Sequence, residues 1–408
     1  MVNQSNYWFD THPTRYGTTS SVIKNADVLI IGGGIIGLTL LYQLINAGLT
    51  DTYLVEEETV GFHASGRSSG HLIMRGQPLF SELPVEQGIQ YAKFMAESIG
   101  RMTKGLRSAN FNCQFRETGG LRLAQNVDDL SLLKQESAFI REHTGVDCVM
   151  LSDKEACVIT KSDAFIGGMF VPNESTFNPY KLTNGLADLV CRRGKRILSN
   201  CQVESVVPTT GDSLAVSIRH KGIIRAKRVV YCTNAYTHDL LPETKDWMSP
   251  FRGQIAATDS LSDDVIEALP TMALSCNNGS EYFRLHDGRL LVGGMRQSIR
   301  GQQEGIVYDG EISRSIYDKL RDFSMKALPV LKGTKFSHTW SGIMCATNDG
   351  LPLIGPVPNR HNQFMMCGFN GYGFSHSLMS SLVLKDYLVA EKSHIIGNEL
   401  FNPQRFCK

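Results

Sequence analysis

The spacing of apolar residues changes period along the chain, and each change predicts an element. The run Asp27-Val-Leu-Ile-Ile31 is continuous rather than alternating, as expected of a strand buried on both faces. It stops at three glycines and resumes with a helical period. Leu38, Leu41, Leu44 and Ile45 share one face of a helix predicted over 37–47, which Gly48 ends. Tyr53-Leu54-Val55 predicts a second strand. Ile89, Ala92, Met95, Ile99 and Met102 mark a helix over 85–106, followed by a strand over 119–124 and a helix over 129–143. Asn178-Pro179 reads as an N-cap with proline at the first helical position, in a helix that closes before Gly194. Strands are expected across 202–231 and again across 250–294.

The first strand, helix and second strand form a β-α-β unit, and Gly32, Gly34 and Gly37 give it the GxGxxG spacing. The first glycine permits a tight turn off the strand. The second lets backbone approach a pyrophosphate, and the third lets helix and strand pack closely. Ile35 and Ile36 complete the turn, and phosphate is expected at the helix N-terminus. Glu56 and Glu57 end the second strand, with Glu56 nineteen positions after Gly37. An acid at roughly 20 residues takes a ribose diol, which favours FAD or NAD over NADP.

Directly afterwards come His63, Ala64, Ser65, Gly66, Arg67, Ser68, Ser69, Gly70 and His71, a small polar segment able to offer N–H groups and hydroxyls to phosphate. Two distant blocks accompany it. One runs from His338 to Gly355 and reads W-x-G-x-x-x-x-T-x-D-G-x-P-x-I-G from Trp340 on. The other is Met366-Cys-Gly-Phe-Asn-Gly-Tyr-Gly-Phe374, leading into a last helix. Two weaker segments lie between them, Gln202-Val-Glu-Ser-Val206 and Arg228-Val-Val-Tyr-Cys-Thr-Asn-Ala-Tyr236. In this order the blocks resemble those of the D-amino-acid oxidase superfamily of FAD enzymes, which includes glycine oxidase, sarcosine oxidase and the γ-glutamylputrescine oxidoreductase-like amine oxidases.

That resemblance implies an α/β chain with an α+β second domain: a Rossmann-like FAD-binding domain from residues 1–85, 165–240 and 335–408, and a discontinuous substrate domain from 86–164 and 241–334, built on a mostly antiparallel sheet. It brings Val203 to the adenine, Thr233, Asn234 and Ala235 back to the cofactor, and Gly342, Met344, Gly371, Tyr372, Gly373 and Phe374 along the flavin. His71, Tyr282 and Met344 are the implied substrate-pocket residues. The implied reaction oxidises a carbon–nitrogen bond of a primary or secondary amine or N-substituted amino acid, passes electrons to oxygen or another acceptor, and releases an imine to hydrolysis. A flavin-dependent hydroxy-acid or polyol dehydrogenase and a flavoprotein subunit of a larger complex are the competing readings.

The chain departs from the family at three places. Met344 stands where amino-acid oxidases hold the substrate carboxylate with arginine, so glycine and D-alanine are expected to be poor substrates; Arg252, Arg284 and Arg75 are the other cations a carboxylate could find. Leu291 stands where sarcosine oxidases place a lysine near the flavin, which leaves oxidase and dehydrogenase both open. Gly342 stands where some members attach the flavin through cysteine, and His63 occurs in a context similar to one that attaches it through histidine; the expectation is non-covalent FAD.

Composition adds exclusions. With 41 basic and 40 acidic residues in 408, no nucleic-acid partner is implied. The apolar window 28–49 contains the phosphate-turn glycines, so it is read as strand and helix rather than as a membrane span. The segment Met1 to Arg15 has no basic start followed by an apolar run, and the ten cysteines form no CxxC pair, so a cytoplasmic protein is expected. The eleven histidines show no metal-ligand spacing.

Overall fold

The protein is described by a computed structural model covering residues 3–12, 23–194 and 196–407; parts of the 1–15 segment therefore lie outside the described residues. Two eight-stranded sheets organise it. In the first, Asn25–Ile31 is central and runs parallel to both neighbours, Thr52–Val55 and Gly222–Tyr231. Ile31 pairs with Val55 on one side and Tyr231 on the other, so the three strands end level. Gly32, Glu56 and Cys232 consequently emerge at one carboxyl edge, where ligands bind in doubly wound sheets. Ile197–Leu198 extends the sheet beyond Thr52–Val55. Gln363–Cys367 and Leu353–Pro356 complete the other side, and Val203–Pro208 and Leu214–Ile218 form an antiparallel extension.

The second sheet runs Phe336–Thr347, Met248–Thr258, Arg289–Gly293, Glu281–His286, Ala273–Cys276, Gly120–Ala124, Gly167–Val171, Val149–Leu151. Its neighbours are antiparallel except at Ala273–Cys276 against Gly120–Ala124, which are parallel. Gly167–Val171 and Phe336–Thr347 hydrogen-bond within this second sheet. Both strands fall within the pieces 165–240 and 335–408 expected for the FAD-binding domain.

The predicted early elements appear as Ile35–Asn46, Val85–Arg107, Gly120–Ala124 and Val127–Thr144, and Asn178 caps Pro179–Cys191 by accepting the Lys181 N–H at 3.0 Å. Expectation and structure part in the 250–294 stretch, where Asp263–Ala268 is helical. Its two acidic residues in the first turn suit the positive end of a helix dipole. Two further helices, Asp153–Thr160 and Arg314–Ala327, follow serine N-caps, Ser152 with Glu155 as a reciprocal capping box. The N-terminal segment folds as the short helix Tyr7–Thr11, with Tyr7 and Trp8 buried in an aromatic cluster with Tyr180 and Trp340.

Candidate active site

A cleft runs between the sheets, from the carboxyl edge of the first to the face of the second. At the nucleotide end Gly32 has φ 114°, and a Cβ there would lie 2.7 Å from the Cys232 carbonyl oxygen. A Cβ on Gly37 would overlap the Gly32 carbonyl, so that glycine serves the close approach of helix to strand. Gly34 is the helix N-cap and supplies no side-chain cap; a Cβ there would come within 2.9 Å of Ser65 Oγ. The Ile35 N–H is met by that hydroxyl at 2.9 Å. No acid occupies the first turn, and this helix end is open to an anion.

Glu56 is buried at the strand end. Its carboxylate accepts the Gly33 N–H at 2.6 Å and the Glu58 N–H at 3.0 Å. Burial raises its pKa against those two hydrogen bonds, which favour the ionised form. The following motif is held from three sides: Asn6 donates to the Gly66 carbonyl and Trp8 Nε1 to the Ser68 carbonyl, each at 2.9 Å, and Trp340 Nε1 donates to the Arg67 carbonyl at 2.8 Å. Arg67 lies between the rings of Phe9 and Phe62 and donates through Nε to the Phe62 carbonyl at 2.8 Å and through Nη1 to the Ser341 carbonyl at 3.1 Å. Its guanidinium thus ties the motif to the second sheet, a commitment that the expectation of a phosphate contact did not include.

Most expected cofactor residues line the cleft, including Glu57, His63, Ala64, Ser68, Ser69, Val203, Thr233, Asn234, Gly342, Gly371, Gly373 and Phe374. Gly37, Gly66, Gly70 and Ala235 are not part of the lining and stand behind it: a Cβ on Gly66 would overlap the Gly61 carbonyl, and the Gly70 carbonyl accepts from Arg284 Nη1 at 2.6 Å. The cradle of glycines, the open helix end and the buried acid fit an FAD dinucleotide.

The three expected pocket residues also line the cleft. Met344 sits in the long second-sheet strand opposite Phe251, its terminal methyl in the space left by Gly253, and its sulfur 3.2 Å from where a Gly371 Cβ would lie. The Tyr282 ring lies over Gly293, and His71 meets it edge-on at 6.2 Å between centroids. His71 Nε2 is buried without a partner, and burial with the Arg284 charge pushes its pKa down to about 3. Tyr372 caps the last helix, whose His376 donates or accepts at the Tyr91 hydroxyl, 2.8 Å away.

Of the three arginines considered for a carboxylate, only Arg75 reaches the cleft. Arg284 is bound to the Gly70 and Phe177 carbonyls, and Arg252 donates to Gln303 at 2.8 Å. Arg75 is 4% exposed and donates to the carbonyl and side-chain oxygens of Asn278, while its Nε has no partner. Among the described residues no carboxylate pairs with it. Sequence reasoning missed Arg122 and Glu174, which form a buried pair at 2.6 Å in the same wall, with Arg122 Nη1 unpartnered. No short motif announces them: Gly120 leaves the room that the Glu174 carboxylate fills, 54 residues along the chain. Among the described residues no group of three His, Cys, Asp or Glu could hold a metal, and no helix is long and apolar enough to cross a membrane.

This fold and cleft define a two-layer dinucleotide enzyme, and the FAD-dependent oxidoreductase family model, DAO, matches residues 27–386. The chain belongs to that family, and FAD is its cofactor. It is 26% identical over 403 residues to γ-glutamylputrescine oxidoreductase of Escherichia coli K12, covering 95% of this chain and 90% of that one. Among solved structures it is similar to L-proline dehydrogenase from P. horikoshii (TM-score 0.80, 20% identity, 94% and 98% covered) and to glycine oxidase from Geobacillus kaustophilus (0.78, 21%, 93% and 98%).

Proposed function

We propose that the protein oxidises the carbon–nitrogen bond of a primary or secondary amine that also carries an anionic group, in the simplest case a carboxylate, and that Arg75 receives that group. The observation that carries this reading is a buried guanidinium in the cleft wall with no carboxylate paired to it among the described residues. A buried charge without a counter-ion is costly, and a ligand that supplies one recovers that cost on binding. The named activities of the relatives, on glutamylputrescine, proline and glycine, support an amine substrate.

Bound FAD supplies the two-electron acceptor for the C–H bond next to nitrogen. The chain's own residues do the rest by position. Arg75 anchors one end of the substrate, while Tyr282, Met344 and Tyr372 wall the other and exclude water. His71 is neutral at working pH and is a hydrogen-bond partner rather than a proton carrier, since its ring gains a proton only near pH 3. The amine therefore enters the reaction neutral, loses hydrogen from carbon and nitrogen, and leaves as an imine that water hydrolyses. Cytoplasmic location is part of the proposal, supported by ten cysteines of which none is in a disulfide.

Titrating the purified yellow protein anaerobically tests it. Amines with a carboxylate should bleach the flavin band at far lower concentration than the same amines lacking one. Bleaching by hydroxy acids alone would overturn the reading. Recovery of colour in air would assign oxygen as acceptor, and its absence would assign another.

A further inference from the structure

Between the strand Arg289–Gly293 and the helix Arg314–Ala327 lie some twenty residues whose one helical piece is the 3-10 turn Arg296–Ser298. Irregular connections of that length inside a compact fold are uncommon and usually functional. This one is fastened along the edge of the second sheet. The Arg252 N–H donates to the Gln303 carbonyl at 3.0 Å, and the Gly305 N–H to the Pro250 carbonyl at 2.9 Å. Ser341 Oγ lies 2.8 Å from the Asp309 carbonyl and 2.9 Å from that of Glu311.

The Asp309 side chain then leaves its own sheet. Its Oδ2 stands 3.2 Å from His63 Nδ1 and 3.2 Å from Arg67 Nε, 246 and 242 residues earlier in the chain. Those residues belong to the motif that lines the nucleotide end of the cleft. The carboxylate is only 9% exposed, and among the described residues it is the one acid paired with Arg67. A third piece of chain closes the joint, for the Tyr236 hydroxyl lies 3.3 Å from the same His63 nitrogen.

We propose that Asp309 is a positioning residue of the cofactor site: its carboxylate fixes His63 and Arg67 in the cleft wall and thereby slows the release of FAD. Hydrogen bonds to an ionised group at a partly buried joint are among the stronger ones, and the carboxylate that bonds His63 also forms an ion pair with Arg67. The pH dependence follows from the groups around His63, namely Asp309 on the connection, Arg67 on its own motif, Tyr236 from the segment Asn234–Asp239, and Glu56 at the strand end. Burial alone would lower the His63 pKa, but the Asp309 hydrogen bond and the charges of Glu56 and Asp309 raise it overall. Burial would raise the Asp309 pKa, and His63 and Arg67 lower it overall. The His63 contribution is complete below the ordinary histidine value and is lost as pH rises through the raised one. The Asp309 contribution is complete above the ordinary carboxylate value and is lost as pH falls through the lowered one. Retention is therefore tightest between the two.

The test is the rate at which FAD fluorescence appears when holoprotein is diluted without substrate, a readout independent of the proposed amine chemistry. Asp309→Asn should release FAD roughly tenfold or more faster than wild type, with both limbs of the pH profile flattened. His63→Gln should lose the alkaline limb and keep the acid one. If Asp309→Asn folds poorly, Asp309→Glu, which keeps the charge, should restore slow release. Wild-type release rates in a folded Asp309→Asn protein overturn the proposal, as does flavin that stays on acid-precipitated wild-type protein.

Discussion

The two ends of the cleft are made from different materials. At the nucleotide end the wall is largely backbone: glycines at 32, 33 and 34 with Gly37 behind them, a helix start whose N-cap residue offers no side chain, and one acid fixed by two N–H groups. At the far end the wall is side chain, with His71 and Arg75 from one segment and Arg122, Glu174, Tyr282 and Met344 from four others. A ligand read by backbone tolerates little change in shape and imposes local spacing. A ligand read by side chains leaves the chain free to move its charges.

The sharpest way to break this contrast is to add one carbon at the backbone end. A Cβ on Gly37 meets a carbonyl rather than a movable side chain. Overpacking of this kind costs about 1–3 kcal/mol, with a rigid neighbour placing it at the upper end. Gly37→Ala should weaken FAD binding roughly a hundredfold and give nearly colourless protein, as absorbance at the flavin maximum will read. Full flavin content in that variant would mean that the helix is free to shift away.

At the side-chain end Arg75→Met should leave the flavin spectrum unchanged and lower kcat/KM for a carboxylate-bearing amine. Hydrogen bonds to charged groups contribute about 1.5–3 kcal/mol, or roughly ten- to a hundredfold. The same variant should not lower the melting temperature without substrate, because it removes a buried cation that has no counter-ion among the described residues. Loss of turnover on uncharged amines to the same extent would show instead that Arg75 shapes the wall for every substrate.

The same contrast explains what could be read from the sequence. The β-α-β unit was legible because strand, glycines, helix and acid lie within thirty residues and each is forced by local geometry. The helix Asp153–Thr160 was equally local, announced by the Ser152 and Glu155 capping box, and went unread because its apolar face is short. Arg122 with Glu174, and Asp309 with His63, were beyond reach because pairing across 52 and 246 residues leaves no spacing to read. The task of Trp8 was equally beyond reach, because it depends on where the Ser68 carbonyl, 60 residues on, ends up. Trp8→Phe leaves that carbonyl without its donor and should cost about 1–3 kcal/mol, visible as a lower melting temperature with FAD bound.

The smallest effect is expected at His71, and it separates position from proton transfer. The ring has no hydrogen-bond partner at Nε2 and stays neutral down to about pH 3, so it contributes no ionisation to activity at working pH. Glutamine offers a donor and an acceptor in nearly the same place. His71→Gln should therefore change KM by less than about tenfold, the scale of one neutral hydrogen bond, and leave the apparent pKa values of the kcat/KM profile between pH 5 and 9 where they are in wild type. An acid limb that disappears in the variant would show that His71 titrates in the working enzyme, and would move it from the wall of the pocket into the chemistry of the amine.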